Sequence, residues 1–334
     1  MPLASETPYR SFMDQTLHYF GRPHAGLPGS KVVSPANWMG ADLREHPSQW
    51  RVTLGERHIN ELSEVADRLL AAGVAMGEVT ATQFALPTLA PVIREWAREI
   101  SRGRGFVVVR GLPVADWGHE KAAYVFWGIG HHLGLPGAQN AAQELLGHVR
   151  NYADSGPGMV RQYRTTENIL FHCDAADSVG LLCLHPAKEG GQSRIVSSVA
   201  VFNAMLATRP DLAARLFEPF PLDRRDEHPA GEPGFVPIQP ACFGEDGVLR
   251  TFYHGEYFRS AQRHAGADID DLGLDALALY DELCDDPDRF LDMWLETGDM
   301  QFISNHTIVH ARTGYEDWPE EERQRHLLRL WLSL

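Results

Sequence analysis

The sequence predicts a mixed α and β chain in which short strands build a sandwich or barrel, with helices set before and between them. Two observations lead to this prediction. Short runs rich in apolar residues recur from about residue 104 to the end of the chain, bounded by Gly, Pro or polar residues. Stretches with helical periodicity precede the first run and separate later ones. We expect one domain over 1–334, with N-terminal helical decoration over about 1–103 and a strand-built core over about 104–334.

The helices are predicted from the spacing of apolar side chains. Residues 58–72 carry apolar side chains at helical spacing and end at Gly73, and residues 92–100 repeat the pattern. Further helices are expected over 199–208 and 274–284. They flank the strand-like runs rather than replace them.

The strands are predicted from short apolar runs between breakers. The first is RGFVVVRGLPV at 104–114, which is β-branched and bounded by Gly and Pro. The later runs are NILFHCD, VGLLCL, SRIVSS, MQFIS and RHLLRLWLSL. Between them, residues 218–247 are rich in Pro and Gly, and we expect this stretch to form a long loop over a site.

Charge narrows the classes of partner. The 334 residues include 45 acidic and 30 basic side chains, which gives a formal net charge of −15. Such a charge repels phosphate backbones and anionic membrane surfaces unless a basic patch intervenes, and the sequence contains no such patch. We therefore expect no nucleic-acid partner and no membrane partner.

Other signals of compartment and chemistry are negative. The four cysteines form no C-x-x-C pair, which argues against a zinc knuckle or a disulfide framework. No segment approaches the roughly 18 apolar residues that span a bilayer, and MPLASETPYR does not resemble a secretion signal. No G-x-x-x-x-G-K-[ST] or G-x-S-x-G motif is present. A soluble cytoplasmic protein is the expectation.

The segment FHCD places two metal-ligand types close together. If it is a strand, His172 and Asp174 point to one face, while Phe171 and Cys173 point to the other. With a second histidine, such a pair forms the 2-His-1-carboxylate facial triad of non-haem iron sites. Alone the motif is weak, because a histidine bonded to a carboxylate for structural reasons has the same pattern.

The C-terminal segment supplies the missing types. It contains His306 and His310, followed by a strand-like run in which Arg325 and Arg329 share one face with Leu327. The opposite face of this run carries leucines. A strand with leucines on one face and two arginines on the other is suited to binding anions with the arginine face. The two arginines would also be neighbours at i and i+4 on a helix, and salt bridges to acidic residues are the alternative role.

Taken together, FHCD, the distal VHAR and the terminal RHLLRLWL resemble the TauD/TfdA family of iron(II)- and 2-oxoglutarate-dependent dioxygenases, which are clavaminate synthase-like. RGFVVVRGLP resembles the family's early strand, and GGQS resembles its G-G-[DN]-[TS] turn. The matches extend from about residue 105 to 332, and 136 residues separate Asp174 from His310, a long gap of the kind the family shows.

The resemblance implies a double-stranded β-helix, or jelly roll, flanked by helices. It implies that His172, Asp174 and His310 ligate iron. Arg325 then matches the arginine that pairs with the distal carboxylate of 2-oxoglutarate, and Ser193 matches a hydroxyl that helps to hold it. A planar guanidinium suits this task because it meets a carboxylate with two parallel hydrogen bonds.

Other positions are assigned less directly. Asn168 and Arg329 match positions that contact the substrate in some members of the family. His306 competes with His310 for the distal ligand, and we prefer His310 because HAR matches the family. Asp177 is read as structural or as supporting the ligands. The remaining candidates match no ligand position and are read as core or surface histidines: His131, His132, His185 and His254.

The expected reaction is oxidation, most simply hydroxylation, of an unactivated C–H bond in a small anionic or amino-acid-like metabolite. The implied cofactors are Fe(II), 2-oxoglutarate as co-substrate and O2, with succinate and carbon dioxide as co-products. Two alternatives remain at this stage: a zinc-type metallohydrolase using the same His and Asp ligands, and a non-catalytic metabolite-binding jelly roll. The oligomeric state is not readable, and a homo-oligomer is left open.

Overall fold

The computed structural model describes residues 8–21, 26–152, 164–228, 230–244 and 246–334. Within these residues the helices lie before and between the strands, as the periodicity predicts. Their bounds are α1 Phe12–Phe20, α2 Gly40–Glu45, α3 Glu56–Ala71, α4 Ala90–Arg102, α5 Val114–Leu133, α6 Ser198–Thr208, α7 Pro210–Arg215, α8 Gly255–Ser260 and α9 Asp271–Cys284. All four helices predicted from the sequence are present.

The strands are short, and most lie after residue 105. Their bounds are β1 Arg51–Thr53, β2 Phe106–Arg110, β3 Leu135–Gly137, β4 Gly147–Arg150, β5 Ile169–His172, β6 Ser178–His185, β7 Glu189–Gly190, β8 Ser193–Ser197, β9 Phe220–Asp223, β10 Phe235–Ile238, β11 Ala241–Phe243, β12 Leu249–Thr251, β13 Phe290–Met293, β14 Met300–Ser304, β15 Ile308–Arg312, β16 Tyr315–Glu316 and β17 His326–Ser333. Every predicted strand contributes one of these elements.

Two sheets carry the site. The larger has the order β1-β2-β14-β6-β17-β3, with β4 also paired to β17, and the smaller has the order β13-β8-β15-β5. All pairs are antiparallel except β1 with β2. The non-consecutive order of neighbouring strands is the crossing pattern of the predicted jelly roll, and the N-terminal segment joins it through β1.

The buried hydrophobic residues form three layers, and successive side chains on a strand point into different layers. On β17, Leu327 and Trp331 lie between the two sheets, whereas Leu328 and Leu330 face the layer that includes α3, α4 and α5. On β15, Ile308 lies between the sheets. The outer side of the smaller sheet packs on α6, α7 and α9. Residues at alternate positions of β15 and β17 therefore point into the space between the sheets.

Two expectations need correction. Residues 218–247 are not a continuous loop, because β9 and β10 form a hairpin and β11 follows. The strand predicted to run through FHCD ends at His172, as β5. Asp174 therefore lies in the connection between β5 and β6. Within the described residues, no helix combines the length and apolar character needed to cross a bilayer.

Candidate active site

Three candidate metal ligands converge at one end of the smaller sheet. His172 on β5 and His310 on β15 are direct cross-strand partners, and their ring centroids lie 4.3 Å apart. Asp174 follows β5, and its Oδ2 lies 3.8 Å from His310 Nε2. Ligand atoms of the three residues all lie within 4.8 Å of one another. The structure therefore brings together the three positions that the sequence motifs suggested.

The donor atoms fit a divalent metal ion. His172 Nδ1 donates to the Leu170 carbonyl oxygen at 2.9 Å, which leaves its Nε2 lone pair for a metal. Asp174 Oδ2 is buried and accepts no hydrogen bond from the described residues. An unsatisfied buried carboxylate oxygen is costly unless a cation meets it. Two imidazoles and one carboxylate match the facial set that holds ferrous iron.

The protein keeps these ligands in their metal-binding protonation states. Burial, reinforced by the neighbouring His172, lowers the pKa of His310 to about 3. Burial acts to raise the pKa of Asp174, but Arg329 and the two histidines outweigh it, and the net pKa lies below its usual value. Asp174 is therefore ionised and His310 neutral at pH 7.

A buried pocket with two arginines lies further along the faces of β15 and β17 that point between the sheets. Arg312 is two residues beyond His310 on β15, and Arg325 lies directly before β17; each is 5% exposed. Their guanidinium carbons lie 4.8 Å and 5.0 Å from the Tyr315 ring centroid. Among the described residues no carboxylate oxygen forms a salt bridge with either, and Arg325 Nη1 and Arg312 Nη1 have no hydrogen-bond partner.

Burial without an anion perturbs both arginines. Desolvation, together with the charge of Arg325, lowers the pKa of Arg312 to about 10, and desolvation also lowers the pKa of Arg325. The GGQS turn permits this packing, because Gly191 has φ +72° and a Cβ there would lie 3.0 Å from Arg325 Nε. Two buried guanidinium groups therefore lie close together, and no carboxylate of the described residues pairs with either.

Ser193 lies beside this pocket. It is the cross-strand partner of Arg312, so both side chains lie on the face of the smaller sheet that meets the larger one. Its Oγ donates to Gln301 Oε1 at 2.8 Å. The hydroxyl thus lies next to Arg312 and donates its proton to Gln301 in this structure, and its contact with 2-oxoglutarate stays a prediction.

The family follows from comparison with known sequences. Residues 69–331 match the sequence model of the family described as "Taurine catabolism dioxygenase TauD, TfdA family". The chain belongs to the TauD, TfdA family. It is accordingly an oxygenase that uses Fe(II), 2-oxoglutarate and O2 to hydroxylate a small metabolite, and the zinc hydrolase and the non-catalytic jelly roll are both set aside.

Individual relatives agree with this membership. FR-33289 synthase of Streptomyces rubellomurinus (strain ATCC 31215) is 29% identical over 309 residues, covering 91% of this chain and 90% of its own. Taurine hydroxylase-like protein SAT17 of Stachybotrys chartarum (strain CBS 109288 / IBT 7711) is 28% identical, covering 92% and 81%. An asparagine oxygenase, solved with Fe(II), 3-hydroxyasparagine and succinate, shares the fold with a TM-score of 0.67 at 18% identity, covering 85% and 93%.

In this TauD-family chain a cavity of about 250 Å³ opens beside His172 and Asp174. Arg329 lines it and lies 3.4 Å from Asp174 Oδ1 through Nη1, while its Nε donates to Gln139 Oε1 at 2.7 Å. Arg329 on β17 thus lines the same cavity as His172 and Asp174, next to the Asp174 carboxylate. Gln139, which the sequence reasoning did not identify, fixes its orientation.

The turn after β9 brings a second arginine to the TauD-family cavity. Arg225 and Asp226 adopt left-handed φ values of 54° and 62°, a conformation that costs non-glycine residues of order 1 kcal/mol each. Buried Asp223 holds the turn, since its Oδ1 accepts from Arg225 N at 2.8 Å and its Oδ2 from Arg263 Nε at 2.9 Å. As a result the Arg225 guanidinium lies 4.8 Å from the Tyr257 ring centroid, at the cavity wall.

His254 also lines this cavity. Its ring stacks on Tyr257 at 3.5 Å and lies 5.3 Å from the ring of His172. Burial lowers its pKa well below the ordinary value, so His254 is neutral. By solvent accessibility His254 is half-buried, and its position against His172 gave no signal in the sequence.

The other candidates lie elsewhere. His306 Nε2 lies 2.8 Å from Asp177 Oδ1, and its ring stacks on Tyr19 at 4.9 Å, so His306 is structural and does not reach the ligands. Asp177 is fully buried and also accepts from Leu334 N. Asn168 is exposed one residue before β5 and does not line the cavity. A substrate role for Asn168 stays a prediction.

Proposed function

We propose that His172, Asp174 and His310 hold Fe(II). The observation that carries this proposal is the convergence of their donor atoms within 4.8 Å at the inner end of the cavity. The unpartnered Asp174 Oδ2 and the tautomer set by the Leu170 carbonyl support it. A facial set of three ligands leaves adjacent positions for 2-oxoglutarate and O2.

The Arg312–Arg325 pocket is the seat for the far carboxylate of 2-oxoglutarate. Arg312 follows His310 by two positions on β15, a step of about 6.6 Å along a strand, which suits the length of a five-carbon diacid. Arg325 provides the bidentate partner, and Ser193 adds a hydroxyl at the pocket edge. Binding the diacid supplies the negative charge that the two buried guanidinium groups lack.

The substrate is a small acid, and a zwitterion such as an amino acid or an amino sulfonate fits best. Arg225 and Arg329 bring positive charge to the cavity, while Glu227 adds a carboxylate at its exposed edge. A volume of about 250 Å³ limits the substrate to metabolite size. Two relatives carry names that refer to taurine and asparagine, and both of those molecules are small zwitterions.

Different residues of the chain orient the co-substrate and the substrate. When bound, Fe(II) and 2-oxoglutarate would activate O2 for oxidation of a C–H bond, with one oxygen atom passing to the substrate and the other to succinate as carbon dioxide is released. Arg325 and Arg312 orient the co-substrate, and Arg329 and Arg225 orient the substrate acid group. The neutral His254 and Tyr257 stack on each other and form one wall of the cavity beside His172.

The cellular setting is proposed on composition. We propose that the protein acts in the cytoplasm as one domain, on a small molecule, without nucleic-acid or membrane partners. The net charge of −15 supports the absence of polyanionic partners. A homo-oligomer is compatible with every feature described.

The test is anaerobic titration of the apoprotein with Fe(II) and 2-oxoglutarate, following the visible metal-to-ligand charge-transfer band. We expect a band that disappears with His172→Ala and requires far more 2-oxoglutarate with Arg325→Ala. Succinate release is then screened with amino acids, sulfonates, phosphonates and phosphate esters. Folded wild-type protein that gives no band would overturn the assignment of the ligands.

A further inference from the structure

The N-terminal helix α1 forms one wall of the active-site cavity. Phe12, Thr16 and Phe20 line the cavity that opens beside the proposed metal ligands. Their spacing of four residues places them on one face of the helix. α1 lies before residues 69–331, the segment that matches the family model. Membership of the family therefore does not by itself predict that α1 reaches the site.

A neighbouring face of α1 fixes the helix against the strand core. Gln15 is fully buried, and its Oε1 accepts from Ser333 Oγ on β17 at 2.8 Å. Tyr19 is also buried, and its hydroxyl donates to the Asn305 carbonyl oxygen at 3.0 Å. One partner lies on a core strand and the other directly follows β14. The face of α1 that lines the cavity is therefore held in a defined position.

A second cavity, of about 330 Å³, lies next to the active-site cavity. Phe20 and Phe252 line both cavities. Their rings are in edge-to-face contact, with centroids 4.9 Å apart. Behind them, Pro237 and Ile238 on β10 form part of the wall of the second cavity. The two aromatic rings therefore separate the two cavities.

We propose that Phe20, packed on Phe252, determines the length of the substrate that the active site accepts. The inference rests on the proposed function, in which Arg225 and Arg329 hold the acid group of the substrate. With its acid group held there, the remainder of the substrate lies in the same cavity, against the face of α1. A chain too long for about 250 Å³ meets the aromatic pair, although further space lies behind that pair.

Phe20→Ala would open this partition and join the two cavities. Longer acids would then extend into the second cavity, where each buried methylene contributes roughly a fourfold gain in affinity. We expect Phe20→Ala to bind acids two or more methylenes longer than the best wild-type ligand at least about tenfold more tightly than the wild type does. Short acids should bind the variant less tightly, because they lose their contact with the Phe20 ring.

The test is anaerobic calorimetric titration of the full-length protein, loaded with Fe(II) and 2-oxoglutarate, with straight-chain 2-amino acids and straight-chain sulfonates of three to ten carbons. The affinity is plotted against chain length for the wild type and for Phe20→Ala. The charge-transfer band of the same samples reports on the iron site separately. An absent band would refute the proposed iron ligands, and the titration of metal-free protein would still compare the chain lengths, because protein side chains form the cavity walls.

Two further variants guard against misfolding and indirect effects. Leu17→Ala is the matched control, because Leu17 lies on the outer side of α1 and is 62% exposed; the dependence of affinity on chain length should match the wild type. Phe252→Leu trims the partition from its other side, so it should shift the preference in the same direction by a smaller amount, and it replaces Phe20→Ala if that variant does not fold.

The result that supports the proposal is a shift towards longer acids in Phe20→Ala or Phe252→Leu, with the wild-type preference retained in Leu17→Ala. The proposal is overturned if folded partition variants keep the wild-type dependence on chain length, or if neither they nor the wild type bind any member of the two series. A normal charge-transfer band beside either result leaves the proposed iron site intact, so the two proposals fail separately.

Discussion

The two ends of the candidate active site are built differently. The co-substrate end, with His172, His310 and Ser193, stands on paired strands of one sheet, and Arg312 shares β15 with His310. The substrate end depends on Arg225, which a strained turn after β9 brings to the cavity. The first end is fixed by strand register, and the second by the packing of a hairpin against it. We therefore expect substitutions at the first to act on iron and 2-oxoglutarate, and substitutions at the second to act on substrate choice.

The largest effect should follow loss of a ligand. His310→Ala removes a donor from the convergent set, and turnover should fall by more than about 100-fold, since loss of a mere supporting contact to a metal ligand already costs about 10–100-fold. Iron content measured after anaerobic loading should fall with it. His306→Gln is the control: it should keep iron and activity but lower Tm, because His306 pairs with buried Asp177. Loss of iron in His306→Gln with retention in His310→Ala would reverse the assignment.

Most residues proposed for the co-substrate end could be named from the sequence. The spacing of His172 and Asp174 suggested a ligand pair, although Asp174 lies in the connection after β5 and not on the strand, and the resemblance supplied His310 and Arg325. Arg312 is the last residue of the VHAR motif, and the sequence analysis assigned it no role. It follows His310 by two residues on β15, so its side chain points to the same face of the sheet as His310. The period of two in a strand was sufficient to find it.

The substrate end could not be predicted in the same way. Arg225 and His254 lie far from the motifs in sequence, and only tertiary packing brings them to the cavity that His172 also lines. The Pro- and Gly-rich composition of 218–247 favoured a loop, yet Phe220 and Leu222 alternate along β9 and pack towards the layer beneath the smaller sheet. That alternation favoured a strand, but the Pro- and Gly-rich composition led to the prediction of a loop.

The second effect in size concerns the co-substrate. Arg325→Met should weaken 2-oxoglutarate by about 100-fold, because removing one partner of a buried charge pair costs about 2–5 kcal/mol. The Tm of the apoprotein should hold or rise, since an uncompensated buried charge is removed, while the rise in Tm on adding 2-oxoglutarate should vanish. Arg194→Met is the matched control, because Arg194 follows Ser193 but pairs with Asp292 at 2.6 Å. Unchanged 2-oxoglutarate affinity in Arg325→Met would refute the proposed seat.

The substrate end should respond more mildly and more selectively. Arg225→Met should raise the KM for a substrate found in the succinate screen by about tenfold, the equivalent of about 1.4 kcal/mol, and leave 2-oxoglutarate affinity unchanged. Arg224→Met is the adjacent comparison: Arg224 also lines the cavity, but its guanidinium pairs with Glu232 at 2.6 Å, so this substitution should raise KM less than Arg225→Met does. Equal effects of the two substitutions would show that Arg225 acts through the turn and not through the substrate.

The smallest effect tests how far the strand-built end tolerates change. Ser193→Ala should raise the KM for 2-oxoglutarate by only about two- to tenfold, because one net hydrogen bond contributes about 0.5–1.5 kcal/mol and Ser193 Oγ now donates to Gln301. Ser193→Thr should behave like the wild type, since it keeps the hydroxyl on the same face. Steady-state kinetics with varied 2-oxoglutarate separates the two variants. Ser193→Ala could instead lose as much affinity for 2-oxoglutarate as Arg325→Met does. The hydroxyl would then be as important as the guanidinium, and Gln301 would have to turn away so that the Ser193 hydroxyl can donate to 2-oxoglutarate.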